Sequence, residues 1–333
     1  MFFKNKQVLV AGGTGLVGIQ LVKLLIEKQG ANVRIASLDD PLRAHPGAEF
    51  IRTDLTSYEN CLTVCDKMDY VFNLLCVKGS PVVTRDYPVD FLVPMTIFNL
   101  LLMEAARIKE VGGFLLTSTV GVYPPAEIFK EEDAFTGFPS PNDLYGAWSK
   151  LTAELQARAY MQQKKTTKFY SKIWDNISIV RPANIYGPYD NFDSINSMVI
   201  PSLIKRALSG ENPFIAWGDG KPVRDFIHSR DVARGMIFAA EHGSGMALNL
   251  GSGTGITIKE LVESVLENVN PKPEIRWDTN QPTGDALRIL DTTKALAMGF
   301  SPQISLKNGI KEVIDFYRQH SKTVGKRYEI FDK

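Results

Sequence analysis

The sequence predicts an α/β protein: a doubly wound parallel sheet followed by a smaller, mixed α/β lobe. Three observations predict it. An apolar strand, Gln7–Ala11, runs straight into Gly12-Gly13-Thr14-Gly15-Leu16-Val17-Gly18 and then into apolar residues at helical spacing. Short apolar runs alternate with helical patterns as far as residue 182, the mark of βα units and therefore of parallel pairing. A buried-strand pattern at 114–116 ends in three hydroxyls, Thr117, Ser118 and Thr119. In an open α/β sheet that end of a strand faces the ligand crevice.

The first strand and helix enclose a GxxGxxG pattern of Gly12, Gly15 and Gly18. The first glycine permits a tight turn, the second lets backbone N–H groups approach a pyrophosphate, and the third lets helix and strand pack closely. Between a strand and a helix this is a Rossmann-type dinucleotide site. It implicates Gly12, Thr14, Gly15, Leu16, Val17 and Gly18 in binding NAD or NADP. The second strand, Asn32–Ser37, ends beside the adenosine ribose. Ser37 stands there with Asp39, Asp40, Arg34 and Arg43 nearby, so carboxylate and guanidinium are both available and NAD versus NADP stays open. Asp54 and Leu55 close a third strand and are placed to meet the adenine, although Asp54 could equally cap the next helix. Residues 70–76 form a fourth strand, 89–109 a long helix and 114–119 the fifth strand. A Pro-rich loop then leads to a helix over 145–163, and 177–181 is a further strand.

Near the start of that helix stand Tyr145 and Lys150. A phenol takes a proton from an alcohol only when its pKa is lowered, and a neighbouring ammonium does that. Beyond residue 182 the pattern becomes mixed: a helix over 200–209, strand Phe214–Trp217, a helix over 229–241, strand Ala247–Leu250, a helix over 257–269 and a final amphipathic helix, Leu306–His320. Residues 1–182, with 223–250 returning to them, are expected to form the dinucleotide domain. Residues 183–222 and 251–333 are expected to form the lobe that covers the crevice.

Composition bounds the reading. The chain has 333 residues, 44% hydrophobic and 23% charged, ample for a large core. A net charge of +1 supplies no field for nucleic acid or an anionic membrane. The longest apolar run, 91–103, falls short of a bilayer span and contains Pro94 and Asn99. Residues 1–4 lead directly into a strand, with no secretory signal expected. Cys61, Cys65 and Cys76 form neither CxxC nor a His-paired metal pattern, so reduced thiols, a cytoplasmic setting and no metal are expected.

Taken in order, GxxGxxG, STVGVYP, YGAWSK, RPANIYGPYDNFD, WGDGKPVRDFIH, NLGSG and RILD resemble the extended short-chain dehydrogenase/reductase family of NAD(P)-dependent nucleotide-sugar epimerases and dehydratases. The similarity spans nearly the whole chain, and the middle and C-terminal portions look most like its GDP-fucose synthase branch. The resemblance implies a triad. Thr119 hydrogen-bonds the reacting sugar hydroxyl, Tyr145 is the acid–base, and Lys150 lowers its pKa and holds the nicotinamide ribose. It also implies that Arg206, Trp217, Arg224 and Arg288 hold guanine and diphosphate, that Asn184 belongs to the sugar pocket, and that His228 is structural. A homodimer built from 91–107 and 145–162 is the family's habit.

Three departures shape the expectation. The family spaces Tyr and Lys as YxxxK, whereas four residues intervene here. On an ideal helix five steps separate side chains by about 140°, against about 40° for four. Tyr145 must therefore precede the regular helix, or a π-type bulge must absorb a residue. The Cys and His that epimerise C3 and C5 in GDP-fucose synthase correspond to Gly121 and Met198, neither of which can move a proton. The dehydratase Asp-Glu pair is replaced by Val120-Gly121. The expected activity is oxidoreduction at C4 of a GDP-hexose or GDP-heptose. The alternatives are a nucleotide-sugar C4 epimerase and a non-catalytic NAD(P)-binding sensor or scaffold.

Overall fold

The structure, a computed structural model, describes residues 1–79, 81–163, 174–192, 197–281 and 284–320. Strands β1 (Gln7–Ala11), β2 (Asn32–Ser37), β3 (Glu49–Arg52), β4 (Tyr70–Asn73), β5 (Gly113–Thr117) and β6 (Ile177–Pro182) alternate with helices α1 (Leu16–Glu27), α2 (Tyr58–Cys65), α3 (Pro81–Asp86), α4 (Pro88–Ile108) and α5 (Leu144–Gln162). There follow β7 (Asn184–Tyr186), α6 (Val199–Leu208), β8 (Phe214–Trp217), β9 (Val223–Arg224), β10 (Phe226–His228), α7 (Ser229–His242) and β11 (Ala247–Leu250). The chain continues through β12 (Ile256–Thr257), α8 (Ile258–Leu266), β13 (Ile275–Asp278), β14 (Leu287–Arg288), α9 (Thr293–Ala297) and α10 (Leu306–His320). One expectation, the placement of 321–333 in the lobe, lies outside the described residues.

Seven strands form one parallel sheet in the order β11-β6-β5-β4-β1-β2-β3. The order reverses between β1 and β4, and the carboxyl ends of strands at such a switch point open a crevice. β1 shows why the sheet is buried on both faces. Val8 and Val10 point into a core shared with α1 and α7, while Leu9 and Ala11 enter a second core with α2 and α4. A period of two assigns each residue to one face, and helices on both sides turn a continuous apolar run into a central strand. A third core, in the lobe, packs α6, α8 and α10 around Phe214, Ile204, Leu261 and Ile310.

The expected domain boundary needs one correction. Residues 223–228 pair with the lobe, β9 against β12 and β14, and β10 against β7. The return to the first sheet begins with α7, which packs on α1, and with β11, which pairs with β6. The helix over the apolar run also differs. α4 starts at Pro88 and runs for 21 residues, so it is long and apolar enough to cross a membrane, where the run alone had looked too short. It lies between α2 and α5, and its Asn99 accepts a 2.9 Å hydrogen bond from Asn73 of β4.

α5 is anchored by charge. Arg181 of β6, fully enclosed, donates to both Glu154 oxygens at 3.0 and 2.6 Å, to the Tyr123 hydroxyl at 2.9 Å and to the Glu131 carbonyl at 2.8 Å. A buried ion pair is tolerated only when its hydrogen bonds are completed in this way. The anchor fixes the helix one turn beyond Lys150.

Candidate active site

The dinucleotide cradle has the expected form. Gly12 takes φ +81°, which favours glycine, and a Cβ on Gly18 would lie 2.2 Å from the Gly12 carbonyl oxygen. α1 therefore sits on the turn only because position 18 has no side chain. Gly15 caps α1 without a side chain, and the first turn holds no acidic residue. The N–H groups of Leu16, Val17 and Gly18 have no intrahelical partner and suit an anion. Thr14 is buried, its hydroxyl 2.6 Å from Ser37 Oγ and donating to Asp39 Oδ2 at 2.7 Å. Arg43 Nε donates to the Thr14 carbonyl at 3.3 Å and lies 3.9 Å from Asp39. A carboxylate and a guanidinium are thus both held against the glycine turn at the end of β2. β3 stops at Arg52, and Asp54 lies beyond it. Asp54 accepts from the Thr56 N–H at 2.9 Å in a local turn and does not cap α2, whose N-cap is Ser57; Leu55 is buried.

At the carboxyl end of β5, Thr117 Oγ1 and Ser118 Oγ are buried with no hydrogen-bond partner. A buried hydroxyl left so costs about 1–3 kcal/mol. Thr119 Oγ1 accepts from Gly121 N at 3.2 Å and starts the 3-10 turn Val120–Val122. Lys150 is 2% exposed, and its Nζ donates to the Leu75 carbonyl at 2.8 Å, just past β4 at the switch point. Burial lowers its pKa against the opposing pull of Cys76 and Glu154.

Tyr145 does not join Lys150. It is the second residue of α5 and 42% exposed, and the Ala147 N–H closes the first turn on the Asp143 carbonyl at 2.8 Å. The helix is regular through both residues, so neither expected accommodation, a position before the helix or a π-type bulge, is present. Five helical steps leave the two side chains about 140° apart. The position four residues before Lys150 is Gly146, and a Cβ there would meet nothing within 4 Å.

The residues assigned to the nucleotide divide. Arg224 and Arg288 lie opposite one another in the parallel β9–β14 pair. Arg288 Nη2 is 2.5 Å from Asp143 Oδ2, and Arg288 Nε donates to Asp285 Oδ2 at 2.7 Å. Burial opposes the charge on Arg288, but Asp143 and Asp285 more than offset it and raise its pKa. Burial and the adjacent Arg288 lower that of Arg224. A cavity of about 260 Å³ opens here, lined by Gly121, Tyr123, Ser140, Asp285 and Arg288 among others. Trp217 is 55% exposed at the end of β8. Arg206 is engaged elsewhere: it bonds Glu211 at 2.7 Å and the Ile215 carbonyl, with its guanidinium over the Phe214 ring, and so braces α6 against β8. The Asn184 amide donates to the Asp225 carbonyl at 2.9 Å, tying β7 to β10 and leaving its oxygen as the group it can offer. His228 is buried and its Nδ1 accepts from Arg230 N at 3.2 Å, capping α7; burial pushes its pKa down to about 4. Its Nε2 is buried without a hydrogen-bond partner, 3.8 Å from Glu312 Oε2.

A family model described as the NAD dependent epimerase/dehydratase family matches residues 8–251. The chain belongs to that family. Among relatives, GDP-L-fucose synthase 1 of Arabidopsis thaliana is 29% identical over 94% of this chain and 94% of its own. The dTDP-4-dehydro-6-deoxy-D-allose reductase of Streptomyces bikiniensis is 29% identical, over 96% of this chain and 98% of its own. Among solved structures, UDP-glucose 4-epimerase of Thermotoga maritima with UDP-glucose superposes with a TM-score of 0.79 at 26% identity, covering 94% of this chain and 98% of that one.

Within this epimerase/dehydratase frame, the structure adds a group that sequence reading missed. Asp143 and Asp285 converge on Arg288, and Ser140 Oγ and Asn142 Nδ2 donate to Asp285 at 2.9 and 2.8 Å. Nothing in the local pattern around 140–143 signals it, because the partners come from the far end of the chain. Gly121 also gains a reason: a Cβ there would lie 3.1 Å from Asp143 Cβ, so the 3-10 turn and the approach to α5 touch at this glycine.

Proposed function

We propose that the chain is an NAD(P)-dependent oxidoreductase acting at C4 of a nucleotide sugar, with a GDP-hexose or GDP-heptose as the substrate class. The observation that carries this is the guanidinium pair on β9 and β14. Arg288 of that pair lines the cavity with Gly121, two residues after Thr119. Paired guanidiniums suit the oxygens of a diphosphate, and exposed Trp217 offers a ring for the base. Relatives named for GDP-L-fucose synthesis and for reduction of a 4-dehydro sugar support the class.

The glycine turn, the α1 N-terminus, Ser37, Leu55 and Lys150 would hold the dinucleotide, which when bound supplies or accepts the hydride. Lys150 presents a desolvated ammonium at the switch point. Thr119 offers a hydroxyl to the sugar oxygen, and Tyr145 carries the proton to or from the C4 oxygen. Gly121 and Met198 carry no ionisable group, so proton transfer at C3 or C5 has no carrier there. Net oxidation or reduction separates this activity from C4 epimerisation, which returns the hydride to the sugar.

A second reading, a dinucleotide-binding scaffold, is favoured by the separation of Tyr145 from Lys150. Turnover of a GDP-linked 4-keto sugar with NAD(P)H, abolished in Tyr145→Phe with dinucleotide affinity intact, supports catalysis. Tight dinucleotide binding without any turnover in the wild type supports the scaffold.

We also propose a homodimer working in the cytoplasm. α4 and α5 pack side by side and leave Val89, Val93 and Ile97, at four-residue spacing, and Trp148 and Leu155 exposed. Cys61 and Cys65 are buried, and burial pushes the Cys61 thiol up to about 12, consistent with unreactive reduced thiols.

A further inference from the structure

We propose that the Asp143–Arg288 ion pair is a latch which the substrate's diphosphate opens, and that opening it lets the first turn of α5 widen so that Tyr145 comes onto the face of Lys150. The proposal rests on the reading of Arg224 and Arg288 as the diphosphate site and of Tyr145 as the acid–base.

Arg224 and Arg288 stand side by side, and Asp143 and Asp285 stand against them, two anions for two cations. A diphosphate added to a site already neutralised in this way brings like charges together, which favours expulsion of a carboxylate. Asp285 is the poor candidate to leave. It accepts from Ser140 Oγ, Asn142 Nδ2 and Arg288 Nε at 2.9, 2.8 and 2.7 Å. Asp143 Oδ2 is held at 2.5 Å by the Arg288 guanidinium, whereas Asp285 has donors from three residues. Asp143 is the anion that a diphosphate displaces.

Its release bears directly on α5. Asp143 is the N-cap residue of that helix, and its side chain caps nothing while it faces Arg288. The turn itself is weak. Gly146 lies within it and lowers helix stability by about 0.5–1 kcal/mol relative to Ala, and no side chain packs where its Cβ would be. In the closed state the Ala147 N–H bonds the Asp143 carbonyl. A π-type turn moves that bond on by one residue and brings positions five apart onto one face, which is the spacing of Tyr145 and Lys150. The extra residue in YGAWSK then has a use: it keeps the phenol away from Lys150 until substrate arrives.

The experiment uses full-length protein saturated with dinucleotide, so that α1 is occupied, with inorganic pyrophosphate as probe. Calorimetric titration is expected to show that Asp143→Asn binds pyrophosphate about five-fold tighter than wild type, the scale of one competing ion pair. Asp143→Glu is expected to restore the weaker binding. Hydrogen exchange in residues 144–149 is expected to rise when pyrophosphate binds wild type, and to be raised in Asp143→Asn beforehand. Equal affinity in wild type and Asp143→Asn, or exchange that pyrophosphate does not change, overturns the latch. Affinity unaffected by Arg224→Ala overturns the diphosphate site itself, and the latch with it.

Discussion

Arg181 illustrates what single side chains decide in this protein. Its guanidinium is enclosed between β6 and α5 with Glu154 as counter-ion, and Glu154 also faces Lys150 one turn earlier. Truncating one partner of such a pair leaves the other charge buried and unpaired, so Glu154→Ala is expected to cost about 3–5 kcal/mol of stability in urea unfolding. His228 sets a pH dependence. Burial lowers its folded pKa to about 4, with Arg230 pushing the same way and Asp231 opposing, from an ordinary value of 6.5. Below 6.5 the unfolded chain takes up a proton that the folded chain refuses, so stability falls as pH drops towards 4 and levels off there. The loss is about 3 kcal/mol, and above 6.5 the residue contributes nothing. Urea midpoints of His228→Asn measured across this range should lack that component of the slope.

At the scale of elements, α5 carries the site's tension between order and chemistry. Gly146→Ala is expected to stabilise the helix by about 0.5–1 kcal/mol, visible in thermal unfolding, and to lower kcat by stiffening the turn that must move Tyr145. A variant stabilised with kcat unchanged would separate the turn from the reaction. The start of α8 was legible as a helix expected from 257, and in the structure Thr257 and Glu260 close it with a reciprocal capping box. The face of α5 was not. YGAWSK states that Tyr and Lys are five apart, but whether the helix is regular between them depends on what pulls on residue 143.

For the molecule as a whole, two sets of bonds are among those that join the lobe to the sheet. Phe129 N–H donates to the Ile289 carbonyl and Asp291 N–H to the Phe129 carbonyl, both at 2.9 Å, while the loop before α5 bonds Asp285 and Arg288. Ligands that bind across this junction stabilise the folded chain, by about 2.7 kcal/mol at a hundred times Kd. GDP is expected to raise the melting temperature more than UDP at equal concentration, and equal shifts would remove any preference for guanine. Leu155→Arg is expected to shift a dimer to monomer in sedimentation, since it puts charge into an apolar face shared by α4 and α5.

By itself the sequence determined the strand–glycine–helix opening, the alternation that makes the sheet parallel, and the hydroxyl-bearing end of β5. Those features are written in turn chemistry and in periods of two and 3.6, which need only a few neighbouring residues. It also carried Gly121 and Met198 as proton-inert positions, because side-chain chemistry travels with the residue. Only the tertiary structure decided that Arg206 braces α6, that Asn184 ties two strands, and that Asp143 and Asp285 neutralise Arg288. Ser140 meets Asp285 across 145 residues of chain, and no local pattern encodes a partner at that distance. A charged group's role is set by the charges that face it, and those are fixed only when the lobe folds back onto the sheet.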